Sequence, residues 1–471
     1  MGRLEAGEYM IFGDMLKWLR ARMSYLFGQE NEQALNIEIS EPMEAAIDRW
    51  ARAYEGRAPW CTDGIHSLQI PAAVASEFAR LVTLEMGVTI TGSPRADYLA
   101  KQLQPFMSRI RPYTELGCAL GGIVFKPYIT DGGISIDAIQ GDCFFPTAFD
   151  TSGRMTGAIF TEQIKRGGKI YTRAESREYV SGLEKIKNRA FCSNTTASLG
   201  NEIPLESVPE WADIAPDAQI DGIDRPLYAY FRVPAANKQD RHSPLGVSVF
   251  ASALDTIRDV DEQYGRLIWE FRGGELAIDV DESALRRTEN GSLEMPSRDA
   301  RLYRAKINAS SPDFYHAFSP ALRDESLLNG LNGMLRIVEF QCGLAYGTLS
   351  NPQAVDKTAE EIKASKQRSF STVRDIQKAL QLALDDLIYG MDTLASLYRL
   401  ASPGTVRIAY DWDDSLISDP SERKKLFWQY VMAGKFPAYR FLSEFEGYTV
   451  EEAKEMVAEA GGQMGDPYVD A

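Results

Sequence analysis

Three long amphipathic segments in the second half of the chain constrain its fold more than any other feature. They cover residues 246–274, 324–344 and 358–399. The first segment carries large apolar residues at spacings of 3, 4 and 7, which is the pattern of one helical stripe. The stripe consists of Phe250, Leu254, Ile257, Tyr264, Ile268 and Phe271. Long helices separated by a polar-rich insert predict an elongated subunit that buries its stripes against copies of itself.

The second and third segments predict two more helices with a loop at residues 345–357 between them. The apolar face of the second helix carries Leu327, Leu331, Met334, Leu335, Val338 and Cys342. Thr358 and Glu361 have the spacing of a capping box at the start of the third helix. Continued to Arg399, that helix would be roughly 63 Å long at 1.5 Å per residue. Gly390 marks a bend in it.

The first half of the chain changes from helical to strand periodicity. Helical spacing comes first, at residues 15–27, 40–55, 71–87 and 96–120. Alternating segments then predict strands at residues 123–130, 134–139, 156–165, 169–180, 186–191 and 227–232, with a polar loop at 193–223. Gly132-Gly133 and Gly167-Gly168 separate neighbouring strands as hairpin turns. Hairpins predict an antiparallel sheet, so the predicted fold class is α+β.

The charge of the chain limits its partners. The 471 residues carry a formal net charge of −16. A protein that grips nucleic acid by neutralising phosphates is normally basic. This chain therefore either never meets DNA or meets it without holding it. No apolar run reaches the ~18–20 residues of a membrane span, so no membrane association is expected.

No catalytic or metal-binding signature is present, so neither enzymatic activity nor a cofactor is expected. The chain lacks a nucleophile elbow, a phosphate-binding Walker loop, a dinucleotide-binding glycine motif and a zinc-protease motif. Its three histidines are far apart, and its five cysteines form no CxxC pair. The carboxylates of Asp411, Asp413, Asp414 and Asp419 fit a strand end and a helix cap better than a metal site.

Positive charge is concentrated in the insert between the first two long helices. The cations are Arg286, Arg287, Arg298, Arg301, Arg304 and Lys306. They either form a solvated polar surface or a docking face for a protein partner or passing DNA phosphates. The flanking segments 276–280 and 301–307 are strand candidates.

Many local strings, in the right order, resemble one protein family. They lie at residues 96–99 (ADYL), 116–128, 141–153, 243–280, 318–350, 357–398 and 410–419 (YDWDDSLISD). This pattern resembles the portal proteins of tailed bacteriophages, in particular the portal type of siphophages and prophages of Gram-positive bacteria. The resemblance covers nearly the whole chain from Met15 onward, and residues 1–14 look like an N-terminal extension.

The resemblance implies a division of the chain into named parts. Residues 15–245 would be the wing, 246–274 and 324–344 the two stem helices, 275–323 a small α/β clip, 345–357 the tunnel loop, 358–419 the long kinked helix with a wing strand, and 420–471 a helical crown. Subunits would assemble as a ring, typically of twelve, around a DNA channel. The tunnel loop would present Tyr346, Thr348, Ser350, Asn351, Gln353 and Lys357 to the channel. The stem interface would use the first stripe together with Leu331, Leu335 and Val338.

The resemblance also implies a function and a set of partners. The ring would occupy the unique capsid vertex of the virion, after assembly in the host cytoplasm, and pass double-stranded DNA during packaging and ejection. The clip cations would dock the large terminase subunit and then the head–tail connector, while other surfaces would meet the major capsid and scaffolding proteins. Two alternatives stay open: an enzyme with an unrecognised site in the wing, and another phage head or tail structural protein.

Overall fold

A computed structural model describes most of the chain. The described residues are 12–27, 37–62, 64–84, 86–196, 198–274, 277–281, 286–287, 293–294, 303–306, 315–318, 321–351, 359–412 and 420–461. They divide into two compact units. One contains the residues up to Thr83 and Val88–Tyr410, and the other contains Leu84–Gly87 and the residues from Asp411 onward.

The described helices follow the predicted order. They are α1 (Phe12–Phe27), α2 (Glu41–Tyr54), α3 (Ile70–Thr83), α4 (Pro94–Met107), α5 (Ile110–Leu120), α6 (Leu254–Gly273), α7 (Asp324–Cys342), α8 (Ala359–Leu397), α9 (Pro420–Met432), α10 (Ala438–Phe445) and α11 (Val450–Gly461). The strands are β1 (Gly87–Thr91), β2 (Gly122–Thr130), β3 (Gly133–Gln140), β4 (Phe144–Phe149), β5 (Met155–Arg166), β6 (Lys169–Val180), β7 (Leu183–Ser193), β8 (Asn201–Ile203), β9 (Asp217–Asp221), β10 (Ala229–Arg232), β11 (Ala277–Asp281), β12 (Arg286–Arg287), β13 (Leu293–Glu294), β14 (Tyr303–Lys306), β15 (Tyr315–Phe318) and β16 (Arg407–Asp411).

The region predicted as the wing, and called the wing below, contains two antiparallel sheets, as the hairpin pattern predicts. One sheet has the order β10-β2-β3, and the other has the order β4-β5-β6-β7-β8 with β9 also paired to β7. Gly167 and Gly168, with φ angles of +59° and +76°, make the tight β5–β6 turn, because glycine adopts positive φ without steric cost. An apolar cluster that includes Val124, Phe160 and Tyr228 packs the two sheets together.

The remaining strands form small sheets. Strand β11 lies between β14 and β15, pairing in parallel with the first and antiparallel with the second. Strands β12 and β13 pair with each other, as do β1 and β16. The helix α8 packs along β2 and β10 and also contacts α3. At about 1.5 Å per residue its 39 residues span roughly 58 Å.

Three predicted boundaries are wrong for physical reasons. The segment 96–120 is two helices rather than one, because the ring of Pro112 would clash with the carbonyl of residue 108 in a continuous helix. The first stem helix begins at Leu254 rather than 246. The Val249 N–H instead donates to the Cys118 carbonyl at 3.0 Å, so this stretch packs on the end of α5. The predicted loop 193–223 contains the short strands β8 and β9, which extend the large sheet.

The second unit is built on aromatic packing among α9, α10 and the turn between them. Phe427 lies 5.0 Å from Phe436 and 5.3 Å from Phe445, measured between ring centroids. Trp428 contacts Phe441 in the same way at 5.2 Å. Lys424 and Glu446 form an ion pair at 2.8 Å. Helix α11 packs against α10.

Candidate functional site

The candidate site consists of the helical pair α6–α7, the small sheet between them in sequence, and the loop that follows α7. The two helices pack directly against each other. At the end of α6, Glu270 accepts three hydrogen bonds from Arg323, which precedes α7, at 2.7–3.1 Å. The Arg323 side chain lowers the pKa of the Glu270 carboxyl below its usual value. This ion pair joins the two ends of the insert 275–323.

Part of the predicted stem interface is buried inside the chain itself, which corrects that prediction. Phe250, Leu254, Ile257 and Val338 have almost no exposed surface within a single subunit. They form internal contacts because the first stripe continues into the turn that packs on α5. The remaining predicted interface residues retain partial exposure: Tyr264, Ile268, Phe271, Leu331 and Leu335. Only these can bury further surface against a second copy.

Large apolar side chains stand exposed where α6 ends and along α7. Trp269 is 68% exposed, Ile337 50% and Phe340 53%. Leu322 and Leu328 are exposed near the start of α7, at the end of the pair that holds Trp269, whereas Ile337 and Phe340 lie towards the other end of α7. Among the described residues no atom lies within 4 Å of the position that a Cβ on Gly333 would take. Clusters of exposed apolar groups mark interaction surfaces, whereas isolated ones do not.

The base of α6 is fixed by a loop from the N-terminal region. The buried carboxylate of Asp261 accepts hydrogen bonds from the Trp60 indole at 2.9 Å and from the Leu68 N–H at 2.8 Å. Burial raises the pKa of Asp261, although both donors act in the opposite direction. A Cβ on Gly265 would lie 2.8 Å from the Gly64 carbonyl oxygen. Gly265 therefore allows the backbone of this loop to approach α6 closely.

The described half of the predicted tunnel loop is anchored by one carboxylate. Glu339 is fully buried and accepts hydrogen bonds from the N–H groups of Gly347, Leu349 and Ser350 at 2.6–3.2 Å. The Ser350 hydroxyl donates to the same carboxylate at 3.0 Å. These loop residues are therefore held against α7 by hydrogen bonds, although the loop has few large apolar side chains. Sequence reasoning missed Glu339, although a glutamate beside Val338 in an apolar helix face could have indicated it.

The predicted channel residues differ in burial, and two of them are not described. Tyr346 and Thr348 are half-buried, Ser350 is buried and Asn351 is exposed. The Asn351 N–H donates to the Asn332 side chain at 2.7 Å. Gln353 and Lys357 lie outside the described residues.

The predicted docking cations of the insert lie on paired strands where the structure describes them. Arg286 and Arg287 are on β12, and Arg304 and Lys306 are on β14. Backbone register sets Arg304 opposite Asp279 and Lys306 opposite Asp281, while Arg286 is opposite Glu294. Arg298 and Arg301 lie outside the described residues. The register thus places acidic residues opposite three of the six predicted docking cations.

Helix α8 is held at its C-terminal end by Arg95, a residue that sequence reasoning also missed. The buried guanidinium donates to the carbonyl oxygens of Asp392 at 3.1 Å, Ala401 at 2.7 Å and Ser402 at 3.3 Å. It also reaches the Ser396 hydroxyl at 3.2 Å. Arg95 therefore ties the last turns of α8 to the residues that follow it, while the carbonyls of Leu394, Ala395 and Ser396 accept backbone N–H groups from residues 398–400.

The last two features of the described residues concern metal sites and membrane spans. Within the described ranges no group of three or more histidine, cysteine or acidic residues is placed to hold a metal ion. In the same ranges no helix combines the length and apolar character needed to cross a bilayer.

Comparison with known proteins gives structural neighbours only. No family model matches the chain, and no curated protein matches it. Its fold is similar to a chain in the neck of a native GTA particle computed with C12 symmetry, at 10% identity and a TM-score of 0.39, covering 90% of this chain and 98% of that one. A second neighbour comes from the neck of an empty GTA particle computed with C6 symmetry, at 10% identity and a TM-score of 0.41, covering 85% and 93%.

Proposed function

We propose that this chain is the portal subunit of a tailed bacteriophage or prophage. Copies of it would form a ring at one capsid vertex, and double-stranded DNA would pass through that ring during packaging and ejection. The observation that carries the proposal is the order of elements in the first compact unit. A mixed wing leads into α6, the small β11-β14-β15 sheet, the packed helix α7, a loop, and the long helix α8 that returns to the wing. The sequence resembles portal proteins in the same order.

The exposed apolar surface of α6 and α7 supports assembly. Trp269, Ile337 and Phe340 together would bury several hundred Å² against a partner, and apolar burial stabilises by about 25 cal/mol per Å². In a closed ring of identical subunits, each subunit covers the same apolar surface of its neighbour. The partly exposed Leu331 and Leu335 lie on a different face of α7 from Ile337 and Phe340 and would add a second contact surface.

The charge of the chain supports a channel that does not hold its cargo. A chain with a net charge of −16, repeated around a ring, makes an acidic assembly. Many phosphate contacts would bind DNA and resist its movement, whereas an acidic wall permits sliding. The paired strands of the insert, with Arg304 and Lys306, would dock the large terminase subunit and later the head–tail connector. The wing and residues 420–471 would face the capsid and scaffolding proteins.

Negative-stain electron microscopy of the purified chain tests the proposal. We expect rings with a central hole, and light scattering at micromolar concentration should give a mass many times that of the 52.5 kDa subunit. A stable monomer in moderate salt would contradict it. Oligomers without a central hole would favour another head or tail structural protein. ATP or nucleic-acid turnover that survives repurification would favour an enzyme.

A further inference from the structure

Two polar residues on one face of α7 hold the backbone of the loop that follows this helix. Asn332 and Glu339 are seven residues apart, which puts them on the same face two turns from each other. Between them they accept hydrogen bonds from the backbone N–H groups of four loop residues. These are Gly347, Leu349 and Ser350 on Glu339 and Asn351 on Asn332.

The positions of these contacts fix the course of the loop. Seven residues of α-helix span about 10 Å along the axis. The chain leaves α7 through Gly343, whose φ of +80° is the left-handed conformation that turns it back. It passes Glu339 at residues 347–350 and reaches Asn332 at Asn351. The N–H groups of residues 347, 349 and 350 therefore converge on one carboxylate, and the next N–H meets the Asn332 side chain, so residues 347–351 lie against α7 at these two side chains.

The chemistry of the contact is unusual for a loop. A fully buried carboxylate is costly to desolvate unless several donors surround it. Three backbone N–H groups and the Ser350 hydroxyl supply such donors here. Backbone donors do not depend on side-chain identity, so the carboxylate constrains the path of the chain rather than its sequence. A hydrogen bond to a charged group is also stronger than one between neutral groups.

We propose that Asn332 and Glu339 are positioning residues that set where the tunnel loop stands relative to the DNA path. The proposal rests on the portal function proposed above. The two side chains hold residues 347–351 against α7. We call this contact the loop seat, and it determines the point from which the rest of the loop starts. Loss of either contact would leave the ring intact and let the loop base move.

Amide hydrogen exchange on the full-length assembled protein tests the loop seat directly. In Glu339→Gln one backbone N–H faces an amide donor in place of an acceptor, and the charge is lost. We expect the amides of Gly347, Leu349 and Ser350 to exchange at least about tenfold faster, since exchange reports local opening. Asn332→Ala should do the same to Asn351, whereas Asn332→Asp keeps the acceptor and should exchange like the wild type. Glu325→Gln, an exposed change on the same helix, is the matched control.

A packaging assay on particles that carry the same variants tests the positioning role. We expect Glu339→Gln and Asn332→Ala to form normal rings but to package or retain at least about threefold less DNA, with Asn332→Asp and Glu325→Gln at wild-type levels. Unchanged amide exchange in Glu339→Gln would show that Glu339 does not hold the loop backbone. Faster exchange with normal DNA filling overturns the positioning role. Failure of the portal function would show separately, as wild-type protein that forms no rings.

Discussion

The two antiparallel sheets of the predicted wing and the helical pair α6–α7 differ in which unusual side chains they bury or expose. In the wing these residues are charged and buried, with Lys126 and Glu175 in contact at 2.6 Å between the sheets. In the helical pair they are apolar and exposed, as Trp269 and Ile337 are. A charged group paired within the chain needs no outside partner, whereas an exposed apolar cluster remains unfavourable until another surface covers it. The wing is therefore complete in one chain, and the helical pair is not.

The largest effect is expected from charging the exposed apolar side chains of the helical pair, one towards each end of it. Replacing Trp269 and Ile337 together by glutamate should abolish ring formation, because two carboxylates would have to be desolvated at each subunit contact. The isolated subunit should keep its melting temperature, since neither side chain is buried within it. Electron microscopy and light scattering of the variant measure this effect.

The control for this variant is a similar change in the wing. Val180, at the end of β6, is 57% exposed, and Val180→Glu should leave rings unchanged. If the Trp269→Glu, Ile337→Glu variant still forms rings, the helical pair does not form the contact between subunits.

The next largest effect should come from the buried charges of the wing. Burial alone would raise the pKa of Glu175, but Lys126, Arg177 and Arg173 together lower it. Glu175→Gln leaves these cations without their central carboxylate and should cost about 3–5 kcal/mol in the free energy of unfolding. Urea denaturation of the purified protein measures this loss.

Glu162 provides the matched control in the same network. Its half-exposed carboxylate pairs with Arg173 at 2.9 Å, and Glu162→Gln should cost less than about 1 kcal/mol. Equal losses for the two variants would mean that burial does not distinguish the two glutamates.

The sequence predicts the periodic parts of this fold and misses its irregular contacts. The hairpin at Gly167-Gly168 was predictable because one short glycine pair leaves few backbone choices. The stripe of α6 was predictable as a helical face, but not what would cover it. Phe250 and Leu254 pack inside the chain because the preceding turn binds α5, a contact between residues far apart in sequence. Periodicity identifies a buried face without identifying its partner.

The candidate site was less predictable for the same reason. The loop after α7 has few large apolar residues, which suggests mobility, but Glu339 anchors it through backbone groups that every sequence contains. The insert cations look like one patch along the chain, while strand register sets acidic residues opposite three of them. The role of Arg95 depends on carbonyl groups some 300 residues away, and no local pattern encodes that distance.

A moderate effect is expected where the wing holds the long helix. Arg95→Lys keeps the charge but replaces a planar fork of donors by a single ammonium, which cannot reach all the carbonyls of Asp392, Ala401 and Ser402. We expect a loss of about 2 kcal/mol, with faster amide exchange confined to the last turns of α8. Arg52→Lys is the control, because Arg52 makes only an exposed pair with Asp48 at 3.1 Å. A loss in Arg95→Lys no greater than in this control would show that Arg95 does not hold the helix end.

The smallest effect should come from the second buried glutamate of the wing, Glu184. One of its oxygens accepts from the Leu227 N–H at 3.1 Å, and the other has no hydrogen bond among the described residues and lies 3.6 Å from the Arg177 guanidinium. Burial raises the pKa of this carboxyl, the opposite of the net shift at Glu175. Glu184→Gln should therefore change stability by no more than about 1 kcal/mol at pH 7, because the amide removes a poorly compensated charge.

The pH dependence of this variant gives the sharper test. A raised pKa means that the folded protein binds this proton at a higher pH than the unfolded chain does. The stability contributed by protonation is full below the unfolded value of 4.5 and is lost as the pH rises through the folded pKa. Wild-type protein should therefore gain stability relative to Glu184→Gln when the pH is lowered from 7 towards 4.5. Paired urea titrations across that range measure the difference. A loss at pH 7 as large as that of Glu175→Gln would show that both glutamates act as ionised partners of the buried cations.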